Sequence, residues 1–235
     1  MDKRTANQLN EKIKGKSVAE TLKYVSEEFK LKIRFASSMG VEDQVITHFI
    51  AENQLPIEVF TLDTGRMFPE TYEIIEKTQA RYNIKIHIIF PDAQEVEKMV
   101  NEKGINLFYH SIDNRKLCCG IRKIKPLKRA LEGMNAWITG LRREQSPTRK
   151  DMQVIEWDEG NQLIKVNPLL EWTEKQTWDF VNENKIPYNT LHDKGFPSIG
   201  CQPCTRAIMP GEDVRSGRWW WENPETKECG LHAKK

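Results

Sequence analysis

An open, mostly parallel α/β sheet is the fold class that this 235-residue chain predicts. Three observations carry it. Short β-rich apolar runs alternate with capped amphipathic stretches, the order strand, helix, strand repeats through the first half, and a hydrophobic content of 38% suits a packed core. Such an order implies right-handed crossovers with helices on both faces of a doubly wound sheet.

Taken in order, Ser17-Val18-Ala19-Glu20 has capping-box spacing and opens a helix ending near Phe29. Residues 31–36, with alternating Ile33 and Phe35, read as the first strand. A helix follows over 40–53, an apolar strand over 57–62, and a helix over 69–82 with Pro69 at its first position. Residues 84–90 form the third strand. Helices are expected over 93–103 and 121–131, the second of them basic, and Ala136-Trp137-Ile138-Thr139 is a buried strand placed beside the first. That placement reverses the strand order between the two. It sets the loops Ser37-Ser38-Met39-Gly40 and Gly140-Leu141-Arg142-Arg143 across a ligand crevice.

Residues 152–157 and 163–166, joined through Asp158-Glu159-Gly160-Asn161, read as a hairpin, and Thr173-Glu174-Lys175-Gln176 caps a helix to about Asn184. Beyond Ile186, Pro and Gly become frequent and periodicity ends. The expected organisation is a core over 1–184 that includes a helix bearing the tandem cysteines, elaborated by an irregular C-terminal segment and mobile tail over 185–235. No apolar run approaches the roughly 20 residues of a membrane helix, and the start, Met1-Asp2-Lys3-Arg4-Thr5, is polar. A cytoplasmic protein is expected, and in a reducing compartment clustered cysteines read as metal ligands or redox groups.

Charge excludes a broad nucleic-acid footprint, since 36 basic residues are balanced by 34 acidic ones. Local cations say more: Arg142, Arg143, Arg206, Arg215 and Arg218 lie in segments with Gly, Ser or Cys, which suits a small polyanion. Taken singly, each one reads better as a solvated surface charge.

The cysteines fall into two pairs and a remainder: Cys118-Cys119, Cys201-x-x-Cys204, and Cys229 alone near the C-terminus. Four thiolates from two distant segments suit either tetrahedral zinc or an iron-sulfur cluster. Adjacent side chains diverge, which is awkward around one small ion and favours the larger cluster. Lys116, Arg122 and Lys123 flank the tandem pair, where they either offset cluster charge or form a solvated basic helix face. Ser37-Ser38-x-Gly40-x-x-Asp43 follows a strand and opens a helix, so its backbone N–H groups can cradle an oxyanion. Asp63-Thr64-Gly65-Arg66 adds a polar loop after the second strand.

Six segments together resemble the assimilatory adenylyl-sulfate reductases, in order and over nearly the whole chain. They are Ser37-Ser38-Met39-Gly40-Val41-Glu42-Asp43; Leu62-Asp63-Thr64-Gly65-Arg66; Cys118-Cys119-x-x-Arg122-Lys123-x-x-Pro126-Leu127; Thr139-Gly140-Leu141-Arg142-Arg143-x-Gln145-Ser146; Gly200-Cys201-x-x-Cys204-Thr205; and Glu228-Cys229-Gly230-Leu231-His232. The four paired cysteines point to the cluster-bearing branch, because the related 3'-phosphoadenylyl-sulfate reductases lack them. The resemblance implies an adenine nucleotide alpha hydrolase-like fold, a 4Fe-4S cluster on Cys118, Cys119, Cys201 and Cys204, and reduction of adenosine 5'-phosphosulfate to sulfite and AMP. The loop departs from the Gly-rich S-G-G-x-D-S form of pyrophosphate-cleaving relatives, which argues against ATP-consuming adenylation.

On that reading Cys229 is the nucleophile, and His232 tunes its thiolate or pins the tail. Ser37, Ser38, Gly40, Asp43, Asp63, Thr64, Gly65, Arg66, Lys123, Arg142, Arg143, Arg215 and Arg218 bind substrate. With no spare cysteine, an external dithiol such as thioredoxin must release the product, and the tail must move to meet it. A homo-oligomer is compatible with all of this. The rivals are use of the 3'-phosphorylated nucleotide, an iron-sulfur electron carrier, which leaves the anion loops unexplained, and a nucleotide-activating enzyme with structural zinc, which leaves Cys229 idle.

Overall fold

A computed structural model describes residues 1–146 and 149–222. Six strands form one sheet in the order β3-β2-β1-β4-β6-β5: β1 (Ile33–Ala36), β2 (Glu58–Leu62), β3 (Ile86–Ile89), β4 (Ala136–Ile138), β5 (Ile155–Asp158) and β6 (Leu163–Val166). β1 pairs in parallel with β2 and with β4, so the strand order reverses between β1 and β4 as expected. β6 extends the sheet in parallel beyond β4, and β5 closes it as an antiparallel edge. All four residues of β6 are buried, whereas β5 buries only its first. Ile33 and Phe35 of β1 face the core, and Arg34, opposite Glu58 in register, pairs with it at 3.1 Å.

Among the described residues the helices are α1 (Lys3–Ile13), α2 (Val18–Phe29), α3 (Val41–Glu52), α4 (Pro69–Tyr82), α5 (Ala93–Lys103), α6 (Ile112–Cys119), α7 (Lys125–Ala130) and α8 (Glu174–Glu183). The capping boxes at Ser17 and Thr173 form as read, with both reciprocal bonds present. α1 was not anticipated, whereas the helix expected at the tandem cysteines is α6. α1 is capped by Asp2 and buries Ala6, Leu9 and Ile13, and the basic helix expected over 121–131 is a π-turn, Gly120–Ile124, followed by α7.

The described residues fall into two compact units, each discontinuous in sequence. The first comprises Met1–Thr61, Glu70–His87 and Gly133–Asn189; the second comprises Leu62–Pro69, Ile88–Glu132 and Thr190–Lys235. The tandem-cysteine helix α6 therefore groups with the C-terminal cysteine segment, whereas a boundary at residue 184 would have grouped it with the sheet. The second unit has its own core of Met99, Leu107, Phe108, Cys204 and Trp219. Past Asn189 the described structure holds two short 3-10 turns, His192–Lys194 and Gln202–Cys204. No helix among the described residues is long and apolar enough to cross a membrane.

Candidate functional site

In the first unit the loop between β1 and α3 is held by its own side chains. Met39 adopts a left-handed backbone, φ 63°, and its N–H donates to Ser37 Oγ at 3.1 Å. Asp43, in the first turn of α3, accepts from Ser38 N at 2.5 Å and from Ser38 Oγ at 2.7 Å. Burial pushes the Asp43 carboxyl up to about 7 despite the Ser38 donors, which favour the charged form. Gly40 caps α3 without a side chain, leaving the helix N-terminal amides for a ligand.

The loop after β4 approaches this one closely. A Cβ on Gly140 would stand 2.1 Å from Asp43 Oδ1, so only glycine fits. Arg142 is 4% exposed and donates to Glu42 at 2.8 Å and to Glu144 at 2.9 Å. Gln145 also donates to Glu42, at 2.8 Å, and Arg149 donates to Gln145. Arg143 reaches Glu171 at 2.5 Å and the carbonyls of Lys150 and Met152. The hydrogen bond that Arg143 donates to Glu171 raises the Arg143 pKa, and the same contact lowers that of Glu171. The two arginines read as oxyanion binders thus have carboxylate partners here.

In the second unit, the loop after β2 is fastened to the cysteine segments. Asp63 accepts from Gly65 N at 2.7 Å, Thr64 Oγ1 lies 3.3 Å from Cys201 Sγ, and Arg122 donates to the Thr64 carbonyl at 2.6 Å. Gly65 has φ 70°, a conformation that disfavours any other residue. Arg66 donates to the Ile105 carbonyl at 3.0 Å and to Asn106 at 2.9 Å, and its backbone carbonyl accepts from Gln202 N at 2.8 Å.

Cys118 and Cys119 end α6 where it passes into the π-turn. Cys201 and Cys204 bracket a 3-10 turn closed by Cys204 N donating to the Cys201 carbonyl at 2.9 Å. All four are free thiols and line one pocket with Arg66, Arg115, Arg122 and Lys123. Among the described residues no three His, Cys, Asp or Glu side chains converge on one point as ligands of a single ion. Burial would raise the Cys201 pKa, but the Lys123 ammonium, the Thr64 hydroxyl and Arg218 more than offset it, and the thiol ends below its ordinary value. Burial and then the charge of Cys201 push Cys204 up to about 12, and burial raises Cys118 against the pull of Arg122.

Arg218 is buried and donates to the Ile199 carbonyl at 3.2 Å, while its Nε has no partner among the described residues. A Cβ on Gly200 would collide with its guanidinium at 2.4 Å, so Gly200 admits it. Arg215 is partly exposed on the same segment. Cys229 and His232 lie outside the described residues. Arg115, absent from the sequence reading, is in the cavity wall. Its place three and four residues before the tandem cysteines, on the helix expected to bear them, was the available signal.

A parallel sheet whose order reverses at β1 and β4, with a glycine-bounded loop at each C-terminal end, defines an α/β protein of the adenine nucleotide alpha hydrolase-like class. Residues 32–207 match the phosphoadenosine phosphosulfate reductase domain, and the chain belongs to that family of oxidoreductases. An adenosine 5'-phosphosulfate reductase of Allochromatium vinosum is 53% identical over 202 residues, 86% of this chain and 79% of that protein. One from Sinorhizobium fredii strain USDA 257 is 49% identical over 228 residues, 97% of this chain and 90% of that protein. The crystal structure of phosphoadenylyl-sulfate reductase from Candida auris superposes with a TM-score of 0.76 at 29% identity, covering 88% of this chain and 98% of that one.

Proposed function

We propose that this chain reduces adenosine 5'-phosphosulfate to sulfite with release of AMP, as a step of sulfate assimilation. The observation that carries the proposal is four free cysteines lining one cation-walled cavity, in a chain about half identical to adenosine 5'-phosphosulfate reductases. The Cys229 thiolate attacks the sulfur of the phosphate-sulfate anhydride. An S–S bond forms, the bridging S–O bond breaks, and its electron pair leaves with AMP. The resulting Cys229 S-sulfonate is released as sulfite when an external dithiol, thioredoxin by class, is oxidised to its disulfide and returns Cys229 to the thiol.

The chain's own residues supply positioning. The loops bearing Ser37, Ser38, Gly40 and Asp43 and bearing Asp63, Thr64, Gly65 and Arg66 offer backbone N–H donors to phosphate oxygens, and Lys123, Arg142, Arg143, Arg215 and Arg218 supply positive charge. His232 sits three residues past the nucleophile and steadies its thiolate. Cys118, Cys119, Cys201 and Cys204 fit a 4Fe-4S cluster, because all four thiols line one pocket and cations line the same walls. Bound there, the cluster would supply negative charge that the cations lining the same pocket offset.

The nucleotide without a 3'-phosphate is the preferred substrate, in keeping with the names of the relatives at 53% and 49% identity. Sulfite release measured from adenosine 5'-phosphosulfate and from its 3'-phosphorylated form, with the same thioredoxin, tests this. The expected result is a higher kcat/KM for the former, and a clear preference for the latter would overturn the assignment. Mixing enzyme and substrate without reductant should add one sulfonate to Cys229 by mass spectrometry. Its appearance on another residue would overturn the mechanism.

A further inference from the structure

Gln145, in the loop after β4, has a side chain engaged through both atoms of its amide. Its Oε1 accepts from the Arg142 backbone N–H at 3.1 Å and from the Arg149 guanidinium, and its Nε2 donates to Glu42 Oε1 at 2.8 Å. The same Glu42 oxygen accepts from Arg142 Nε at 2.8 Å. Glu42 belongs to the first turn of α3, and its side chain is only 13% exposed. The tie therefore joins the loop after β4 to the start of α3. A second meeting point lies at Gly140, where an added Cβ would stand 3.2 Å from Glu42 Cβ. Held at Gly140 and again at Gln145, the loop cannot pivot about either point, and both segments belong to one compact unit.

An amide at position 145 has an electrostatic reason. Glu42 sits in the turn whose free amides face a ligand; a carboxylate there gains from the helix dipole but repels a phosphate unless its charge is offset. Arg142 offsets that charge, and Gln145 adds a second donor while remaining neutral. A carboxylate at 145 would instead face Glu42 with no proton between them. An apolar side chain would leave the Arg142 N–H without its acceptor and Glu42 without one of its donors. We propose that Gln145 is a positioning residue for the nucleotide: by clamping the loop after β4 onto Glu42, it fixes the separation at which that loop and the 37–40 loop present their backbone N–H groups. This role rests on the two loops receiving the nucleotide, as proposed above. Gln145 acts through Arg142 and Glu42 instead of through a contact of its own.

The test is calorimetric titration of folded full-length protein with AMP, alongside steady-state sulfite release from adenosine 5'-phosphosulfate. Gln145→Met keeps the length of the side chain and removes both hydrogen-bonding atoms, whereas Gln145→Glu sets two carboxylates against each other. Both should weaken AMP binding by about tenfold or more, the scale on which loss of one charge-assisted hydrogen bond acts. KM should rise by the same factor with kcat within about twofold of wild type, the pattern of lost uniform binding. Adding Glu42→Gln to Gln145→Glu should restore AMP affinity to within about threefold of wild type, because the bond between the two positions re-forms in reverse and Arg142 keeps its acceptors. Iron content should not change in any of them. AMP affinity within about twofold of wild type in folded Gln145→Met would overturn the proposal. So would a double variant no better than Gln145→Glu alone, a comparison that decides the matter even where Gln145→Met does not fold. Failure of the wild type to bind AMP would instead overturn the nucleotide-binding reading of the two loops.

Discussion

Asp43 carries its charge at an energetic cost. Buried beside Glu42 and bonded to Ser38, it holds a folded-state pKa of about 7 against an ordinary value of 3.8. The native chain therefore keeps a proton that the unfolded chain has released between those two values. Stability should fall as pH rises from about 4 through 7 and level off above, by at most about 4 kcal/mol from this group. Asp43→Asn removes the titration while leaving an oxygen to accept from Ser38 N. Urea unfolding at pH 5 and pH 8 should show a smaller difference for the variant than for the wild type. An identical pH dependence in both would mean that Asp43 is ionised throughout. Much at this scale was unreadable in the sequence. Arg142 was read as an anion binder from the Gly, Ser and Arg near it; that it also pairs with Glu42, a hundred positions away, lies at a distance where spacing rules are silent.

Elements were read well where a local signal and the tertiary requirement coincide. α2 and α8 announce themselves through capping boxes, α4 through Pro69, and β1 through buried residues at a period of two. α6 gives no such signal: its polar run buries only Arg115, so no apolar stripe marks it. α1 is marked only by three apolar residues in a charged stretch. The loop after β4 carries a sharper constraint than any helix. Gly140→Ala would drive a methyl group into Asp43, and the loop must retreat. The expected outcome is a stability loss of about 1–3 kcal/mol, typical of overpacking, together with at least tenfold weaker AMP binding. Calorimetric titration of the folded variant measures the second effect, and unchanged affinity would remove this loop from the nucleotide site.

For the whole molecule, the deciding question is what the four cysteines hold. Cys204 belongs to the core of the second unit, packed with Met99, Leu107, Phe108 and Trp219. Cys204→Ser should abolish iron binding and visible absorbance, and should lower stability through the polar group placed in that core. Metal analysis of anaerobically purified wild type checks the premise: iron at about four per chain supports the cluster, and stoichiometric zinc without iron refutes it. The pairing of cysteines was plain in the sequence. Their grouping with the loop after β2 was not, because the second unit is assembled from three separated stretches of chain.

That interleaving has a consequence in time. A ribosome makes Cys118 and Cys119 about 80 residues before Cys201, and at ordinary elongation rates the interval is roughly 4 to 16 seconds. During it the first pair is present without the second. The unit that would enclose it is also incomplete, since its last stretch begins only at Thr190. The four-thiol cavity therefore comes into being only after Cys201 and Cys204 have been made, and whatever fills it must be delivered after that point. Until then the exposed pair depends on the reducing power of its surroundings to stay unoxidised.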